Sequence, residues 1–146
     1  MTMTNRRSFI TGIKSTTLSS KEKKFLQKYK PWGVILFSRN IKSIKQTRLL
    51  TNQIKKIFKD KSYPIMIDQE GGRVNRLKKI FNTDSLTGEY FGKLYSKDIK
   101  KFNFYYKLFI KQTSFLLKSI GANINTLPIL DLRSKGSSNI IGDRSF

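Results

Sequence analysis

The stretch Pro64-Ile65-Met66-Ile67-Asp68-Gln69-Glu70-Gly71-Gly72-Arg73-Val74-Asn75-Arg76 constrains the fold more than any other. An apolar run of strand length ends abruptly in an acid. A second acid, two glycines and two arginines follow within eight places. A strand buried on both faces shows no polar alternation, and parallel α/β proteins build their sites from carboxylates at the C-terminal ends of such strands. Gly33-Val34-Ile35-Leu36-Phe37 is a second run of the same kind.

The segments around these runs have helical signals. Ser19 followed by Glu22 is a capping-box pattern, predicting a short helix with Phe25, Leu26 and Tyr29 on one side and Pro31 as its stop. Ser38-Arg39-Asn40 reads as a turn, and Ser43 suits the cap of a helix that places Leu50, Ile54, Ile57 and Phe58 on one face. A polar, irregular region is expected from the glycines to about Lys97. A long helix then keeps a 3.6-residue period through Ile99, Phe102, Tyr106, Phe109, Thr113, Leu116, Leu117 and Ile120, with Gly121 at its C-terminal cap. Residues 9–12 and 122–130 complete the set as strands, the latter ending at Asp131, and residues 132–146 read as a Gly/Ser-rich loop.

The order β-α-β-α-β-α-β with apolar strands implies a parallel sheet. No Gly-x-Gly-x-x-Gly and no phosphate-binding loop is present, so a nucleotide-binding doubly wound fold has no support. A (β/α)8 TIM-barrel type fits better. Whole barrels run to roughly 250 residues, so residues 1–146 are expected to be about the first four β/α units, the N-terminal half of one barrel domain.

Composition narrows the chemistry. The 146 residues contain no Cys and no His, which removes disulfides, thiolate metal sites and any self-contained Ser-His catalysis. The formal charge is +21, from 30 Lys and Arg against 9 Asp and Glu. The basic residues are scattered and many stand opposite apolar stripes, the pattern of a solvated surface rather than a specific nucleic-acid interface. No apolar run approaches the roughly 20 residues of a membrane span. Asn5-Arg6-Arg7-Ser8 resembles a twin-arginine signal, but no apolar segment follows it, and the expected location is the cytoplasm.

Asp68 and Asp131 are both expected at C-terminal strand ends. A carboxylate there, with Arg73 and Arg76 close by, suits sugar hydroxyls or anionic groups. The alternative is that Asp68, Glu70 and the arginines pair with one another to hold a turn. Gly142-Asp143-Arg144 is a second candidate, an Arg that can reach the pocket formed by Asp68; seen in isolation it reads more readily as an Asp–Arg pair in a surface loop.

Four blocks in order carry a resemblance: residues 33–40, residues 67–76, Leu127-Pro128-Ile129-Leu130-Asp131-Leu132, and Ile140-Ile141-Gly142-Asp143-Arg144-Ser145-Phe146. Together they resemble the N-terminal half of glycoside hydrolase family 3, and more narrowly its bacterial cytoplasmic β-N-acetylhexosaminidases. The resemblance implies a retaining exo-glycosidase that releases terminal β-linked N-acetylglucosamine, from muropeptides in peptidoglycan recycling, with no metal or organic cofactor. It implies substrate-binding roles for Asp68, Arg76 and Arg144, and loop-bracing roles for Glu70 and Arg73. It also implies an Asp nucleophile and a His acid/base, both expected beyond Phe146, so no catalytic residue is assigned to this chain and it is expected to be inactive alone. Its partner is then a carbohydrate, not nucleic acid or membrane. A β-glucosidase, a non-catalytic sugar-binding remnant and a basic nucleic-acid-binding module are the rival readings.

Overall fold

The computed structural model describes residues 5–134, 136 and 139–146. Four parallel strands, β1 (Arg7–Gly12), β2 (Pro31–Leu36), β3 (Ile65–Ile67) and β4 (Ile124–Asn125), form one sheet in the order β1-β2-β3-β4. Four helices connect them: α1 (Ser20–Tyr29), α2 (Ile44–Ile57), α3 (Gly88–Lys97) and α4 (Ile99–Ile120). The expected α/β class with a parallel sheet is the observed one. No helix among the described residues is long and apolar enough to cross a membrane.

Local chemistry sets the helix ends. Ser19 and Glu22 form the reciprocal capping box at the start of α1, and Ser43 accepts from Gln46 N–H at the start of α2. α1 ends at Tyr29, before Pro31 as expected, with Lys30 in the left-handed region as its cap and Pro31 opening β2. Gly121, with φ of 83°, ends α4 where a left-handed residue must turn the chain into β4.

The core lies between the sheet and the helices. Val34, Leu36, Ile65 and Ile67 meet Leu26 of α1, Leu50 and Ile54 of α2, and Leu117 and Ile120 of α4, all buried. Burial of each such side chain contributes roughly 1.5–3 kcal/mol relative to exposure. β1 departs from the fully buried pattern, since its residues are exposed or half-buried as an edge strand allows. Trp32 of β2 is likewise exposed.

Two expectations need correction. The region predicted to be irregular up to Lys97 contains α3, capped by Thr87 and held by Phe91, which packs on Phe102, Tyr106 and Phe109 of α4. The fourth strand is confined to Ile124–Asn125 rather than residues 122–130. Pro128 has no N–H to give to a ladder, so pairing stops short of it. Residues 132–146 include a 3-10 turn at Gly142–Arg144. The Lys135, Ser137 and Ser138 part of that expected loop lies outside the described residues.

Candidate functional site

Asp68 directly follows β3. The β3–β4 register pairs Ile67 with Asn125, which sets Asp68 opposite Thr126. Thr126 Oγ1 donates to Asp68 Oδ1 at 2.8 Å. Arg76 Nη2 stands 3.6 Å from the other carboxylate oxygen. The Arg76 guanidinium lies over the Phe37 ring, 5.6 Å from its centre, and the Arg39 guanidinium lies 4.5 Å from the same centre. The Nε of Arg76 is buried with no hydrogen-bond partner among the described residues. A carboxylate held by a hydroxyl on one side and a guanidinium on the other keeps lone pairs that can accept from further hydroxyl or N–H donors.

The loop after Asp68 is fixed from beneath by Gln69, which is 2% exposed. Its side-chain oxygen accepts from Leu77 N–H at 3.0 Å, and its amide nitrogen donates to Asn75 Oδ1 at 3.0 Å. Its backbone N–H donates to Asn125 Oδ1, and Asn75 donates onward to the Phe81 carbonyl. Both ends of the segment from Asp68 to Arg76 are thereby tied to buried amides.

Gly71 and Gly72 then turn the chain with φ of 95° and 53°. Space as well as dihedral requires glycine here, because a Cβ on Gly71 would stand 2.4 Å from the Leu86 carbonyl oxygen.

Arg144 arrives from the loop after β4. Its Nε and Nη2 donate to the two carboxylate oxygens of Glu70, each at 2.7 Å. The Glu70 hydrogen bond raises the Arg144 pKa; burial opposes it, and the charges of Glu70, Asp131 and Asp68 add to it. Arg73 makes the converse link. Its Nε lies 3.0 Å from Asp143, and its Nη2 donates to the carbonyls of Ile140 and Ile141 at 2.7 and 2.6 Å. Two arginine–carboxylate pairs therefore run in opposite directions between the loops after β3 and β4.

The structure thus brings Asp68 and Arg76 into one pair and Arg144 beside Glu70, with Arg144 within the electrostatic reach of Asp68. Glu70 and Arg73 sit where a bracing role needs them. Asp131 does not lie at a strand end, because β4 stops at Asn125; it is exposed, and its carbonyl accepts from Phe146 N–H. Sequence reasoning missed Thr126, Gln69 and Asn125. Among the described residues no three acids gather as a metal site.

Residues 7–146 match the pattern of the glycosyl hydrolase family 3 N terminal domain. The chain is 36% identical over 138 residues to a beta-hexosaminidase of Hydrogenovibrio crunogenus, covering 92% of this chain and 37% of that protein. It is also 36% identical over 139 residues to a beta-hexosaminidase of Alkalilimnicola ehrlichii, covering 92% and 38%. The fold is similar to that of NagZ from Neisseria gonorrhoeae in complex with N-trifluoroacetyl-D-glucosamine, with a TM-score of 0.85, 28% identity, and coverage of 97% of this chain and 42% of that one. The chain thus spans under two fifths of the length of these curated relatives. With a matched domain running from β1 to Phe146, the chain belongs to glycosyl hydrolase family 3.

Proposed function

We propose that this chain is the sugar-holding part of a β-N-acetylhexosaminidase, a retaining exo-glycosidase that releases terminal β-linked N-acetylglucosamine from muropeptides in peptidoglycan recycling. The observation that carries the reading is the Asp68 carboxylate, fixed after β3 between Thr126 and Arg76. The carboxylate would accept from two ring hydroxyls, while Arg76 and Arg144 would donate to hydroxyl or amide oxygens of the sugar. Glu70 and Arg73 would hold the loops in place. The NagZ neighbour bound to an N-acetylglucosamine analogue supports a sugar as ligand.

On this reading residues 1–146 form about the first four units of a (β/α)8 barrel. The parallel order β1-β2-β3-β4, with β1 and β4 each pairing on one side within the described sheet, supports it. Glycoside hydrolysis needs a second carboxylate or an acid/base in register with the glycosidic bond. The sequence has no histidine, so the His acid/base and the Asp nucleophile implied by the family would come from residues outside these 146.

The test is hydrolysis of a chromogenic N-acetyl-β-glucosaminide by the chain joined to the remaining barrel segment of a relative, beside the chain alone. Turnover in the joined protein, lost in Asp68→Ala, is the expected result. Turnover of the β-glucoside but not the N-acetyl sugar would favour a β-glucosidase instead.

A further inference from the structure

A short segment before α3 stands between the two loops that carry the site. On one side it meets the glycine turn: the Leu86 carbonyl oxygen lies 2.4 Å from where a Gly71 Cβ would be, and the Thr87 methyl lies 2.7 Å from a Gly72 Cβ. On the other side it meets the arginine loop. A Cβ on Gly88 would stand 2.1 Å from the Arg144 carbonyl oxygen, 2.8 Å from its carbonyl carbon and 3.0 Å from the Ser145 carbonyl oxygen. One turn further, a Cβ on Gly92 would stand 3.1 Å from the carbonyl carbon of Phe146.

The two kinds of contact differ in cause. Gly71 and Gly72 need glycine for their positive φ as well as for space. Gly88 is an ordinary helical residue at the start of α3, so only the closeness of residue 144 demands glycine there. The segment is itself rigidly held. Thr87 Oγ1 accepts from Tyr90 N–H at 3.0 Å as the cap of α3, and Leu86 N–H donates to the Thr83 carbonyl, which also receives Gly72 N–H at 2.8 Å. One threonine therefore uses its hydroxyl to start the helix and its methyl to seat the glycine turn.

We propose that Leu86-Thr87-Gly88 is the positioning element of the site, setting the Arg144 loop at a fixed height above the Gly71-Gly72 turn so that Arg144 meets Glu70 squarely. The proposal rests on the reading of Arg144 as a sugar ligand only for its effect on affinity. A methyl group at residue 88 meets backbone, which cannot rotate away, so the Arg144 loop must move by about 1 Å. A displacement of that size breaks hydrogen bonds of 2.7 Å and can cost a hundredfold in a positioned site.

The experiment is a titration of N-acetylglucosamine into the wild-type and Gly88→Ala chains, followed by ¹H–¹⁵N spectra that report the Arg144 Nε–H and the amides of β2 and β3. In Gly88→Ala the Arg144 Nε–H signal is expected to lose its ion-paired position and affinity to fall at least tenfold, with the strand amides unmoved. An unmoved Arg144 Nε–H in a folded Gly88→Ala chain overturns the proposal. A displaced signal with unchanged affinity upholds the positioning role and removes Arg144 from the sugar ligands. If the wild type binds no sugar, the functional reading fails, while the Nε–H signal still decides the positioning role. Should Gly88→Ala not fold, Thr87→Ser keeps the hydroxyl that caps α3 but removes the methyl that seats the Gly72 turn, and an unmoved Arg144 Nε–H in that variant overturns the proposal.

Discussion

Glu70 and Arg144 stand 74 positions apart and meet through two parallel hydrogen bonds of 2.7 Å, one from each of two guanidinium nitrogens. The pair is largely sheltered, with 10% of the Glu70 side chain and 27% of the Arg144 side chain exposed. Such a fork fixes direction as well as distance, because a planar guanidinium meets a planar carboxylate in one orientation. It ties the loop after β3 to the loop after β4 from within, while Arg73 and Asp143 tie them from the exposed side.

Glu70→Gln keeps the size of the side chain but turns one acceptor into a donor facing Arg144. A loss of about 1–3 kcal/mol is expected from the orphaned, part-buried charge. Arg73→Gln, whose ion pair is half exposed, should cost less than about 1 kcal/mol. Urea unfolding of both variants checks the order; equal losses would mean that the inner pair has no special role.

Gln69→Leu fills the same space and removes one partner from each of two buried hydrogen bonds. Leu77 N–H and Asn75 Oδ1 lose their bonds in an interior where Gln69 is 2% exposed. A destabilisation of about 2–4 kcal/mol is expected from two unsatisfied groups. Because these bonds hold Asp68 and Arg76 at the two ends of one loop, affinity for N-acetylglucosamine should fall at least tenfold while the chain remains folded. Unchanged affinity in the folded variant would show that the loop keeps its shape without Gln69.

The contrast between what the sequence announces and what it conceals follows from the range of the interactions. Ser19 and Glu22 are three positions apart, and their capping box is a local exchange that the residue types alone declare. Gly121 at the end of α4 is legible for the same reason. α3 is concealed because Gly88 and Gly92 lower helix propensity for the sake of contacts with residues 144 and 146, more than fifty positions away. Thr126 escapes notice because it comes opposite Asp68 only once β3 and β4 pair in the observed register. Asp68 itself is visible, since an acid that ends an apolar run needs no partner to be conspicuous. Its pairing with Arg76 is half visible: the sequence places both in one loop but leaves open whether they hold a turn or a ligand.

Tyr63→Phe isolates one hydrogen bond at the base of the sheet. The phenol is buried and donates to the Pro31 carbonyl at 2.9 Å, and its ring stacks on Phe58 with centres 3.9 Å apart. The variant keeps the stack and leaves the carbonyl unsatisfied, so a loss of about 1–2 kcal/mol is expected. Burial also pushes the Tyr63 hydroxyl well above its ordinary pKa, against the pull of Arg6. Burial raises Tyr106 as well, so in an alkaline spectrophotometric titration Tyr63→Phe should reduce the late-ionising component without abolishing it.

Acid should unfold the chain partly through two carboxylates, Asp60 and Glu22. Asp60 is held below its ordinary 3.8 first by the hydrogen bond from Arg6 and next by that from Ser62 N–H, against a small effect of burial. Burial would raise Glu22 above its ordinary 4.5, but the N–H of Lys14 at 2.8 Å, together with the Ser19 hydroxyl and N–H, outweighs it and lowers the pKa. Groups with lowered folded values bind protons more readily when unfolded. Their contribution is therefore complete above the ordinary values of 4.5 and 3.8 and is lost as pH falls through the folded ones. Glu22→Gln retains a neutral acceptor for the capping box and has nothing to titrate. The urea midpoint, followed by Trp32 fluorescence, should thus fall less steeply below about pH 4.5 in Glu22→Gln than in the wild type. An equal slope would place the acid sensitivity in Asp60 and the remaining carboxylates.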